Sequence, residues 1–246
     1  QPGAPSPFLL LCDHASNRVP RALRDLGLDA AALLRHVAWD IGAAEVTRRL
    51  AARLEATAIL AGYSRLVVDV NRPPEEESSM PLVSDEVEIP GNRDLDEAAR
   101  QARLEACFHP YHQAIDDLVA ARRREGLVPV LLSIHSFTPV MAGFVRPWQI
   151  GILWNRDDRL ALPLIQALAA RGFCVGDNEP YTGRDHRGYT LRRHAEPLGL
   201  PHVLIEIRQD LIDTQHGAVD WADTLAPVLA ERLADPALQR SLAPHG

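Results

Sequence analysis

The sequence predicts an α/β fold, a largely parallel sheet flanked by helices, on three observations. Short β-type runs recur along the 246 residues, several of them continuously apolar, as strands covered on both faces must be. Segments with helical spacing of apolar residues lie between these runs. The composition, 46% apolar and 24% charged, is that of an ordinary folded chain with a full core. Strands alternating with helices place the strands mostly parallel.

The predicted strands are Phe8–Cys12 and residues 57–61, 66–70, 128–134, 149–154, 173–175 and 202–207. Val46, Leu50 and Leu54 repeat every four residues, and Leu104, Phe108, Tyr111, Ile115 and Leu118 form a second helical stripe. Pro110 falls inside that stripe and is expected to kink or split the helix. Helices are also expected over 159–171 and 220–233. Residues 73–93 hold Pro73-Pro74, the acidic run Glu75-Glu76-Glu77 and Pro90-Gly91-Asn92, and read as a long surface loop. A second loop of interest, 176–188, contains Asp177, Asn178, Tyr181, Arg184 and His186. The chain length fits one α/β domain over residues 1–246.

Charge and cysteine usage narrow the function. The formal net charge is 26 − 33 = −7, every basic residue is Arg, and no basic block stands out, which argues against a nucleic-acid partner. Cys12, Cys107 and Cys174 are odd in number and scattered, so neither a disulfide framework nor a cysteine zinc knuckle is indicated. Cys12 and Cys174 lie in apolar runs and are expected to be packed thiols. No apolar run is long enough to cross a bilayer. Residues 1–7 lack the pattern of a secretory signal, so a cytoplasmic location is expected.

The informative residues are polar ones at strand tips or inside apolar strands, because sites in α/β sheets collect beyond the carboxyl ends of strands. The run Leu9–Cys12 ends in Asp13-His14, and Val130–Ile134 delivers His135. Two imidazoles at equivalent strand ends point to a metal, and a catalytic zinc takes three protein ligands with one position open. Asp40, in an otherwise apolar setting, offers the third ligand; alternatively it caps the helix that follows. Asp13 is the other choice, or an outer partner that orients an imidazole. Glu206 lies within Val203-Leu204-Ile205-Glu206-Ile207-Arg208. A carboxylate there is costly unless paired or functional, so it is either a general base or half of a structural pair with Arg208. Asn71-Arg72 ends the 66–70 run, where Arg72 could grip a substrate carboxylate with two parallel hydrogen bonds. Arg65 opens the same segment.

Taken in order, Asp13–Asn17, His36–Gly42, Tyr63–Pro73, Pro110–His112, Ile134–Ser136 and Glu206–Gln209 resemble the N-formylglutamate amidohydrolase family. The family is similar in fold to the zinc carboxypeptidases and aspartoacylase, which implies three layers with a mixed, mainly parallel sheet between helices. The resemblance implies a zinc-dependent amide hydrolase acting on a small N-acyl acidic amino acid, foremost N-formyl-L-glutamate. It assigns His14 and His135 to the metal, Asn71 and Arg72 to the substrate carboxylate, and Glu206 to catalysis. His194, which follows an arginine pair, is a further substrate contact it suggests, and Arg65 and Arg208 are taken as candidate substrate contacts beside it. The carboxypeptidase pattern carries a Glu ligand three residues after the first His; here that position is Asn17, so Asp40 is expected to complete the site. The rival enzyme readings are a different deacylase, a carboxypeptidase, or a serine mechanism through Ser136, which lacks a nucleophile elbow. Outside enzymes, a metal-free binding protein for small acids remains.

Overall fold

The computed structural model describes residues 6–185 and 188–242. In chain order the elements are β1 (Phe8–Cys12), α1 (Ala30–Leu34), α2 (Ala43–Arg53) and β2 (Thr57–Leu60), then β3 (Val83–Ser84), β4 (Val87–Glu88), α3 (Glu97–Arg103) and α4 (His109–Arg124). The chain continues through β5 (Val130–Phe137), β6 (Val140–Met141), β7 (Phe144–Val145), β8 (Ile150–Leu153) and α5 (Ala161–Ala169). It closes with β9 (Val175–Asp177), α6 (Thr190–His194), β10 (His202–Arg208) and α7 (Gln215–Arg232). Six strands form one sheet in the order β2-β1-β5-β10-β8-β9. All neighbours in it are parallel except the β10–β8 pair, so the sheet is mixed and mainly parallel.

The continuous apolar runs are explained by burial on both faces. Phe8, Leu10 and Cys12 pack with Leu132, Ile134, Ile205 and Ile207 beneath α2, α5 and α7. Leu9, Leu11 and Leu131 point the other way, toward Phe108, Tyr111 and Ile115 of the α4 region. His135 shares the face of Leu131, and Glu206 lies on the face of β10 opposite Ile205 and Ile207. The polar residues of interest therefore sit on the α4 side of the sheet.

Three expectations need correction. Residues 66–70 are buried but form no strand; Val67 N–H bonds Ser64 O and Arg72 N–H bonds Asp69 O in successive turns. Side chains replace a neighbouring strand. The carbonyls of Leu66, Val67 and Val70 accept hydrogen bonds from Asn92, Arg103 and His112 respectively. Second, the 73–93 segment is a surface loop only in part. It carries the β3–β4 hairpin and buries Met80 and Ile89. Third, Cys174 is exposed, just before the edge strand β9, whereas Cys12 is buried. The expected break at Pro110 is present: Leu104–Phe108 is a π-helix, and α4 starts at His109 with the proline in its first turn.

Arg103 holds the irregular 66–70 segment in place. It is 5% exposed and donates to Val67 O at 3.1 Å, Asn92 Oδ1 at 2.6 Å and Gly91 O at 2.7 Å. Arg103→Met is expected to cost about 2–4 kcal/mol, because two buried acceptors and a half-buried one lose their donor. Urea denaturation checks this, and an unchanged midpoint would show that these bonds carry no net stability. Among the described residues no helix is long and apolar enough to cross a membrane.

Candidate active site

Three chain segments converge at the carboxyl ends of β1 and β5. His14 follows β1, and its carbonyl accepts the Asp40 N–H at 2.9 Å, which ties the loop before α2 to the strand. Asp40 does not cap α2. The cap residue is Gly42, at φ +81°, where a Cβ would stand 2.1 Å from Ile212 O. The Asp40 side chain is thereby left to face the histidines. Its Oδ2 lies 3.2 Å from His14 Nδ1 and 2.8 Å from His135 Nδ1. Ligand atoms of His14, Asp40 and His135 fall within 4.8 Å of one another, and all three residues are buried.

Each imidazole is held from behind by a second carboxylate. His14 Nε2 lies 2.8 Å from Asp69 Oδ1, and His135 Nε2 lies 2.8 Å from Asp13 Oδ2. Both rings thus turn Nδ1 to the common centre, the arrangement that fixes the tautomer of metal-binding histidines. Asp13 also accepts from Tyr111 Oη, Thr190 Oγ1 and Ser133 Oγ, at 2.9, 2.7 and 2.8 Å. Burial opposes the charge on Asp13 and Asp40, but the histidines and hydrogen bonds outweigh it and hold both carboxylates well below the usual range. Burial likewise opposes protonation of His135, yet Asp13 and Asp40 raise its pKa well above the ordinary value. For His14, burial and Arg65 lower the pKa, and Asp69 and Asp40 bring it to a net rise.

Glu206 stands on β10 directly beside His135 in the strand register. It is 6% exposed, and its Oε2 has no hydrogen-bond partner. Burial pushes its pKa up to about 7, against the opposing pull of His135. The structural pairing with Arg208 does not form: Arg208 binds Asp210 and the Arg146 carbonyl instead.

These groups open into a cavity of about 720 Å³ that is also lined by Arg65, Asn71, Arg72 and Arg192. Arg65 is anchored, with Nη2 at 2.7 Å from Asp69 Oδ2 and Nη1 at 3.6 Å from Asp40 Oδ1. It therefore also braces the carboxylates around the histidines. Asn71 Oδ1 accepts the Tyr189 and Thr190 N–H groups and so caps α6. His194 and Arg208 do not line the cavity. His194 is 2% exposed and bridges His112 Nδ1 at 2.8 Å and Asp116 Oδ1 at 2.7 Å. The opposite wall is the 179–183 strap, laid across the sheet where a Cβ on Gly151 would stand 2.0 Å from Glu179 O. Asn178 Oδ1 pins this strap through the N–H groups of Trp154 and Gly183. His186 lies outside the described residues. Asn17 does not line the cavity and donates to Leu33 O at 3.0 Å.

Sequence reasoning missed Asp69, Thr190 and Arg192, whereas the strap falls within the 176–188 loop it singled out. Asp69 carried the same signal as Glu206, a carboxylate inside an apolar run, but attention in that run went to Asn71-Arg72 at its end. Thr190 and Arg192 gave no local signal; α6 brings them in.

The His112–His194 pair supports the backbone that presents Asn71 and Arg72. The Val70 carbonyl can only accept, so His112 carries a proton on Nε2, and its Nδ1 faces His194 Nε2 at 2.8 Å. Burial, and then the nearby His194, push the His112 pKa down to about 4. An unfolded histidine titrates near 6.5, so below that pH the unfolded chain binds a proton that the folded chain refuses. Stability is expected to fall between about pH 6.5 and 4, by on the order of 3 kcal/mol from this group. His112→Gln should flatten that limb in urea midpoints taken at pH 7 and 4.5; equal slopes in both proteins would exclude His112 as the cause.

The sequence profile of the N-formylglutamate amidohydrolases matches residues 6–213. A solved gene product of Agrobacterium tumefaciens is 42% identical, with a TM-score of 0.90 over 93% of this chain and 91% of its own. An N-formylglutamate amidohydrolase from Ralstonia eutropha shares the fold at 17% identity, with a TM-score of 0.64 over 94% of both chains. No curated protein matches the sequence. The chain belongs to the N-formylglutamate amidohydrolase family.

Proposed function

We propose that the protein is a metal-dependent amidohydrolase that removes the N-acyl group of a small acidic amino acid, with N-formyl-L-glutamate as its reference substrate. The observation that carries this reading is Glu206. A buried carboxylate with an unpartnered oxygen stands beside two imidazoles and a carboxylate that converge on one point.

The donor set fits a divalent cation. Two Nδ1 atoms and one carboxylate oxygen converge, and each imidazole is backed by a buried carboxylate, a ligand chemistry suited to zinc. His14, Asp40 and His135 would hold the ion. When bound, it supplies positive charge that acidifies water and stabilises an oxyanion.

The chain's own groups do the rest. Glu206 takes a proton from the attacking water as its oxygen bonds to the acyl carbon, and delivers that proton to the nitrogen as the C–N bond breaks. The products are the free amino acid and the carboxylic acid of the acyl group. Arg72, in the cavity wall, binds the substrate carboxylate and sets its orientation, which supplies rate through position. Arg65 and Asp69 keep His14 in register.

Formate release from N-formyl-L-glutamate, with metal quantified on the same preparation, tests the proposal. About one zinc per chain together with chelator-sensitive formate release is expected. Hydrolysis that survives full chelation would remove the metal from the mechanism, and binding without hydrolysis would favour a small-acid binding protein.

A further inference from the structure

The cavity continues well past the reacting groups. Glu206, Leu204 and His202 alternate onto one face of β10, and all three line the cavity. At about 3.3 Å per residue, Leu204 lies about 7 Å and His202 about 13 Å from Glu206 along the strand. Leu153 pairs with Leu204 across β8, and both contribute to this arm. Leu191 of α6 also lines the cavity, and a hydrogen bond from Asn155 Nδ2 to Glu196 Oε1 at 3.2 Å joins two of its lining residues beyond β8 and α6.

Leu204 is the telling residue. It sits on an interior strand of a six-stranded sheet, yet it remains partly exposed, whereas Ile205 on the other face is fully buried. Sheets of this kind cover both faces of interior strands. Here the cavity lies over β10, and its floor is Leu204 with the nearly buried Leu153 of β8 on one side and Ser133 of β5 on the other. Apolar surface gathered in a concave, partly enclosed site marks the place where a ligand's apolar part is bound. A formyl group cannot use that floor, since only a hydrogen lies beyond its carbonyl carbon.

We infer that the cavity arm over Leu204 and Leu153 is an acyl subsite, and that the preferred substrates carry an unbranched apolar acyl group of roughly five carbons, the span from Glu206 to Leu204. The inference rests on the proposed hydrolase reading. It places the acyl carbon at Glu206 and the acidic amino acid toward Arg72. Chain growth along the arm replaces water over leucine with methylene contacts, so efficiency should rise with each carbon until the arm is filled.

The experiment is a series of N-formyl-, N-acetyl-, N-butanoyl- and N-hexanoyl-L-glutamate, assayed on the metal-loaded enzyme. Binding of the same compounds to Glu206→Gln is followed in parallel by calorimetry. The expected result is a kcat/KM at least about tenfold higher for hexanoyl than for formyl, with Kd falling in step. Leu204→Trp should reverse that ratio by filling the arm; if it does not fold, Leu191→Trp blocks the arm from the other wall. A steady decline from formyl to hexanoyl overturns the inference and leaves the proposed function standing. A hexanoyl-to-formyl ratio unmoved by either substitution also overturns it, since the acyl group then lies elsewhere. If no member is hydrolysed and none binds Glu206→Gln, the proposed function fails and the subsite with it.

Discussion

Glu206→Gln is expected to keep its bound metal and to lose about 10²–10⁴-fold in kcat on N-formyl-L-glutamate, the usual contribution of a positioned general acid–base group. The amide is isosteric with the carboxylate but cannot take a proton from water. It also carries no charge, so the burial that pushes the Glu206 pKa up to about 7 no longer opposes folding. The thermal midpoint is therefore expected to hold or rise while activity collapses, and that combination separates a lost proton acceptor from a damaged fold. Steady-state kinetics, metal quantitation and a melting curve on one preparation suffice. A variant that retains wild-type kcat would remove Glu206 from the reaction.

The second large effect is expected at Asp40. Asp40→Ala should lose bound metal, with affinity falling by more than the roughly 10–100-fold that loss of an outer partner costs, and hydrolysis falling with it. The substitution removes the oxygen on which His14 Nδ1 and His135 Nδ1 converge, at 3.2 and 2.8 Å. Asn17→Ala is the control. Asn17 stands three residues after His14, where the sequence resemblance would look for a Glu ligand, yet its side chain donates to Leu33 O, so its loss should leave metal content unchanged. Metal titration of both variants decides. Retention by Asp40→Ala together with loss by Asn17→Ala would move the third ligand from Asp40 to residue 17.

Legibility in the sequence followed the range of the interaction. Strands β1, β5 and β10 announced themselves as apolar runs, because burial on both faces leaves no room for alternation. His14, His135 and Glu206 stood out for the same reason: each interrupts or ends such a run. The 66–70 segment shows the opposite case. Its apolar residues are buried as expected, but its carbonyls are satisfied by Asn92, Arg103 and His112, which lie far along the chain. Hydrophobicity reports burial, and it does not report which partner takes the hydrogen bonds.

Chemistry was therefore readable one residue at a time, as a charge or an imidazole set against an apolar background that makes it expensive. What folding added was convergence. Asp13 and Asp69 behind the rings, Arg192 and the 179–183 strap around the cavity, and His194 turned away from it all depend on distant segments packing together. The same dependence leaves Leu204 uncovered on its interior strand. A local pattern records the cost of placing a group inside the protein, whereas the partners that offset the cost come from across the sheet, where chain order carries no distance information.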